Sequence, residues 1–74
     1  MSRKSDLKKQ IAESEAEIEE LEKKRMRSQS AIMESFLNKT EPNERDAEYF
    51  RIYTQLIEVE RNNLRMLNDE LNKL

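Results

Sequence analysis

The stretch "LNKTEPNERD", residues 37–46, is the one clear interruption in a chain otherwise rich in helix-favouring residues, and its reading decides the fold. Pro42 has no amide hydrogen and drives Glu41 out of the α region, while Thr40 and Asn43 both carry side-chain oxygens that can cap a following helix. A proline flanked by capping residues ends one helix and starts another, whereas a single rod kinked at Pro42 has no use for the caps. The turn is therefore placed at 38–43. The 74-residue chain becomes one helical-hairpin domain, with a first helix over 6–37 and a second over 44–73.

Composition supports an all-α reading. Glycine is absent and proline occurs once, so the tight turns that hairpins and bulges require are hard to build. Charged residues make up 41% of the chain and hydrophobic ones 35%, a balance that permits disorder unless the apolar residues are periodic. They are periodic. Leu7, Ile11, Ile18, Leu21 and Ile32 follow a 3-4 heptad spacing, with Ser14, Arg25, Ser28 and Ser35 filling the remaining seam positions. Ser5 and Asp6 are read as the start of this helix, a hydroxyl cap followed by a carboxylate at the positive helix end. In the second half Phe50, Tyr53, Ile57, Leu64, Leu67, Leu71 and Leu74 keep the same spacing, broken once by Glu60.

Reversal about Pro42 and Asn43 predicts an antiparallel coiled-coil-like hairpin with a definite register. It sets Ile11 against Leu74, Ser14 against Leu71, Ile18 against Leu67, Leu21 against Leu64, Ser28 against Ile57, Ile32 against Tyr53 and Ser35 against Phe50. Small faces large, as filled layers require. Arg25 meets Glu60, and this pair is read as a polar layer that sets the register. A slip of one heptad either way places Glu60 opposite an isoleucine, Ile18 or Ile32, and the first slip also places Arg25 opposite Tyr53. Both slips are disfavoured on that ground.

The second helix carries more apolar surface than one partner covers. Tyr49, Ile52, Leu56, Val59 and Met66 form a stripe beside its seam, and Met26, Met33 and Phe36 lie beside the seam of the first helix, on a different flank by heptad position. A contiguous stripe of this kind marks an interface. Two completions follow: a homodimer in which the flank of one first helix meets the second-helix flank of the other chain, closing a four-helix bundle, or a groove filled by a helix of another protein. A chain of this size seldom has a self-sufficient core, which favours a partner of either kind.

The chemistry available is narrow. With no cysteine and no histidine there are no disulfides, no thiolate or imidazole metal ligands and no nucleophile activated by imidazole. The acidic run "ESEAEIEELE", residues 13–22, spreads its carboxylates around a straight helix instead of converging them, so no metal site is expected. A two-helix hairpin has no concave interior, and neither catalysis, a cofactor nor a small-molecule substrate is expected. The basic run "KKRMR", residues 23–27, is divided by helical phase: Arg25 belongs to the seam and Met26 to the flank, leaving Lys23, Lys24 and Arg27 as exposed cations. Three cations on a chain of net charge −2 fall short of a phosphate-tracking footprint, and a nucleic-acid-associated regulator using this run is the competing class. No apolar stretch approaches a membrane span and "MSRKSDLKKQ" lacks a signal-peptide core, so a cytoplasmic protein is expected.

The stretch "DAEYFRIYTQLIEVE", residues 46–60, resembles the second helix of the two-helix co-chaperones of type III secretion needle subunits, over about a fifth of the chain. That resemblance implies a cytoplasmic protein holding an aggregation-prone helical subunit. The residues themselves lead to a non-catalytic helical protein-protein interaction module: an adaptor, assembly chaperone or regulator.

Overall fold

The computed structural model describes residues 2–74. Two helices, α1 (Arg3–Leu37) and α2 (Glu44–Asn72), pack antiparallel into a rod 56 × 15 × 14 Å, and no strand occurs among the described residues. The all-helical hairpin is the architecture that the sequence predicts. No helix among the described residues is long and apolar enough to cross a membrane.

The first helix starts earlier than expected. Ser2, not Ser5, is its N-cap: the Ser2 hydroxyl accepts from the Ser5 amide at 3.1 Å, so Ser5 lies inside the first turn. Both serines have the chemistry of a cap; the earlier one is used, and Arg3 in the added turn forms an exposed ion pair with Glu70 across the hairpin.

The last turn of α1 closes as a Schellman motif. The Thr40 amide donates to the Ser35 carbonyl at 2.9 Å and the Lys39 amide to the Phe36 carbonyl at 3.1 Å, with Lys39 in the left-handed region at φ 56°. Thr40 does not cap α2. Its hydroxyl donates to the Ser35 carbonyl at 3.1 Å, and Asn43 alone caps α2, accepting from the Arg45 amide at 2.8 Å.

The register differs from the expected one by a full heptad. Three cross-helix contacts define it: the Arg3–Glu70 pair, the bond from Ser14 Oγ to Glu60 Oε1 at 2.7 Å, and the bond from Arg61 Nη2 to Glu22 Oε2 at 3.4 Å. Among heptad registers they are satisfied together only when Leu7 faces Leu71, Ile11 faces Leu67, Ser14 faces Leu64, Ile18 faces Glu60, Leu21 faces Ile57, Arg25 faces Tyr53 and Ser28 faces Phe50. Burial agrees. Leu7 is 0% exposed, whereas in the expected register it would face a position beyond Leu74, and Ile57, opposite the buried Leu21, is 1% exposed. Leu74, expected against Ile11, is exposed at the end of the rod.

The expected Arg25–Glu60 layer is accordingly replaced. Glu60 sits across from Ile18 without stranding its charge, because its carboxylate accepts from the Ser14 hydroxyl and, at 3.1 Å, from Asn63 Nδ2. Arg25 is half-buried at the edge of the seam, where it lines a depression with Thr54, Ile57, Glu58 and Arg61. Small residues still face large ones, and the two buried seam serines are both bonded: Ser14 to Glu60, Ser28 to the Lys24 carbonyl at 3.5 Å.

Two measurements check this arrangement. A double-mutant cycle in urea unfolding between Ser14→Ala and Glu60→Ala is expected to return a coupling of about 1 kcal/mol, and one between Arg25→Ala and Glu60→Ala close to none; the reverse pattern would restore the register expected from sequence. Lys39→Gly removes the left-handed strain at the helix end and is expected to raise stability by about 0.5–1 kcal/mol, read as an upward shift of the urea midpoint.

Candidate interaction surface

Helical phase and the antiparallel register together assign every seam-flanking residue to one of two opposite flanks. In an antiparallel pair, positions following the seam on one helix lie beside positions following it on the other, and those preceding it do likewise. The first flank carries the Glu22–Arg61 pair. Here Arg25, Thr54, Glu58, Arg61 and Arg65 line one depression, and Glu19, Glu22, Lys23, Met26 and Arg27 line a neighbouring one on α1. Met33, seven residues after Met26, and Phe36 continue this side toward the turn, and all three are exposed.

The opposite flank carries the apolar stripe of α2. Lys24, Arg27, Ser28, Asp46, Tyr49 and Tyr53 line a depression near the turn, and Gln10, Glu13, Ser14, Glu60, Asn63 and Leu67 line another toward the termini. Leu56 lies two helical turns beyond Tyr49 on the same face, and Ile52, Val59 and Met66 repeat every seven residues beside them. Tyr49 stacks on Tyr53, ring centroids 6.0 Å apart at 29°, which anchors one end of the stripe. Ile52 is half-buried; Tyr49, Leu56, Val59 and Met66 are exposed.

The structure thus gathers Tyr49, Ile52, Leu56, Val59 and Met66 on one flank and leaves Met26, Met33 and Phe36 on the other. The dimer expected from sequence, in which one group packs on the other across a two-fold axis, would have to join them from opposite sides of the rod. Surfaces on opposite sides of a rod cannot both meet their counterparts in a closed pair; they would stack head to tail. Sequence reasoning also missed Leu37, 82% exposed because α1 ends there with nothing opposite its outer face. Its place outside both seam and stripe gave no periodic signal.

The basic run is dispersed. Lys23 pairs with Glu19 at 3.8 Å, Arg25 lies between the helices, Met26 faces solvent on the first flank, and only Lys24 and Arg27 border the tyrosines on the second. Among the described residues, no group of three or more Asp or Glu side chains is placed to hold a metal ion.

The molecule is a two-helix antiparallel coiled-coil hairpin with an apolar stripe along one flank and a methionine-rich patch on the other. Comparison with known proteins gives no match, whether to family models, to curated protein sequences or to solved structures.

Leu56 and Ile57 adjoin in sequence but differ in role, at 45% and 1% exposed. In dilute solution, Leu56→Ala is expected to change unfolding stability by less than about 0.5 kcal/mol and Ile57→Ala to lower it by about 2–4 kcal/mol. Equal losses in urea titrations would show that the stripe belongs to the core.

Proposed function

We propose that this chain is a non-catalytic helical interaction module that acts by packing the apolar stripe of α2 onto another helical surface. The observation that supports this most directly is the stripe itself: Tyr49, Ile52, Leu56, Val59 and Met66 lie on one flank, aligned with the rod, four of them exposed and Ile52 half-buried, and clustered apolar surface of this kind is characteristic of binding sites. Its shape suits helix-on-helix docking, since anchors repeating at helical spacing are read by a complementary helix. The flat flank offers no enclosed pocket that would hold and orient a small substrate.

A second, compatible reading is favoured by Met26, Met33 and Phe36, exposed on the other flank near the turn. Methionines adapt their shape to varied apolar partners, which suits holding an amphipathic helix, as a co-chaperone does.

The test is association in the cell. A tagged chain carrying Ile52→Glu and Leu56→Glu is expected to keep its helical circular dichroism and lose the self-association or partner that the unmodified chain shows on cross-linking and purification. Unchanged association would remove the stripe as the site of action.

A further inference from the structure

We infer that the occupant of the α2 stripe is a second copy of this chain, packed antiparallel so that α2 lies on α2 and α1 on α1 across a two-fold axis. This rests on the interaction reading above and specifies its partner. Three features of the flank point to it.

The first is a shared centre. The stripe runs from Tyr49 to Met66, and its midpoint falls between Leu56 and Val59, at the layer where Ile57 faces Leu21. On the same flank, α1 presents Glu13 and Glu17 on one side of Leu21 and Lys24 and Arg27 on the other. A two-fold axis through the Leu21–Ile57 layer sets Tyr49 near Met66 of the second copy and Leu56 near its Val59. The same axis sets Glu17 against Lys24 of the second copy, and Glu13 against its Arg27. The register decides this. Had the helices paired one heptad further along, as the sequence suggests, the apolar centre and the charge centre would lie at different levels and no one axis would serve both.

The second is the order of these charges. Glu13, Glu17, Lys24 and Arg27 have no ion-pair partner among the described residues, as is also true of Glu58 and Arg65 on the first flank. What points to a second copy is their order, acidic then basic along α1, which is self-complementary only when that copy is reversed. A parallel copy related by an axis along the rod would lay the apolar stripe over these charges instead. Two like-charge contacts oppose the pairing: Glu20 near the axis meets its own copy, and Asp6 approaches Glu34 of the second copy far from the centre.

The third is reach: the flank runs the 56 Å length of the rod, long enough for an interface of standard size.

The experiment is a charge swap read by sedimentation equilibrium at low salt, with circular dichroism as the control for folding. The unmodified chain is expected to sediment at twice its 8.9 kDa. Glu17→Lys and Lys24→Glu, each placing like charges across the axis twice, are expected to weaken the dimer about tenfold, and the double variant to recover to within a few-fold. Glu20→Gln is expected to tighten it. A double variant no better than the singles would overturn the antiparallel pairing. A helical, monomeric unmodified chain at tens of micromolar would overturn the second copy as occupant. The interaction reading would then still be decided separately, by whether that monomer loses its cellular partner on Ile52→Glu with Leu56→Glu.

Discussion

The hydrogen bond from the Ser14 hydroxyl to the Glu60 carboxylate, at 2.7 Å, is the contact on which the arrangement of this hairpin depends. A carboxylate at a seam position facing an isoleucine would ordinarily lose hydration with nothing in return. Here the side chain is long enough to carry its charge to the neighbouring layer, where Ser14 leaves room and supplies a donor, and Asn63 on the same helix supplies a second. Once Glu60 is accommodated, the heptad that covers Leu7 becomes accessible. Sliding α2 by seven residues, about 10 Å, would strip the cover from the first apolar layer of α1 and move Leu21 off Ile57.

The turn and the seam reinforce that choice. A Schellman closure with Lys39 left-handed brings the chain round within 38–43, so that Ser35 stands across from Asn43 and the layers follow in step from there. The seam of α1 is narrow because serine occupies it repeatedly. Leu7, Ser14, Ile18, Leu21 and Ser28 are buried on α1, whereas on α2 only Ile57 is, the larger Phe50, Tyr53, Leu64, Leu67 and Leu71 remaining half-exposed around it. One thin helix cannot cover a broad one. The apolar surface of α2 therefore overflows onto the flank of Tyr49 and Leu56, and the stripe follows directly from the unequal widths of the two seams.

This also explains what could be read from the sequence. Both helices, the turn and the flank of each apolar residue follow from a 3-4 period that tolerates no ambiguity about faces. The register did not follow, because a heptad slip preserves every face, and the preference between slips rested on which Cβ atoms oppose. For Glu60 and Arg25 the charged tip lies several ångströms from the Cβ: one reaches Ser14, the other the edge beside Thr54 and Glu58. Opposition at the backbone was a poor guide to where those charges are satisfied. The helix start is not fixed by sequence either, since Ser2 and Ser5 are equivalent as caps and the exposed residues between them add no periodic signal.

The two flanks have different consequences for assembly because they lie on opposite sides of the rod. A flank that binds its own copy reaches closure at two chains, while a flank that binds the other flank continues without limit. The charge pattern bears on which occurs. Glu22–Arg61 and Lys23–Glu19 are matched within the first flank, while Glu58 and Arg65 on the same side have no ion-pair partner among the described residues. The second flank holds an acidic and a basic segment on either side of its apolar centre, an order that the proposed second copy would match when reversed. Self-pairing there would turn Met26, Met33 and Phe36 outward on both faces of the resulting bundle, two equivalent adaptable patches available to helices of another protein. The register set by Ser14 and Glu60 would thus decide the assembly as well as the hairpin, by bringing the charge centre of α1 level with the apolar centre of α2.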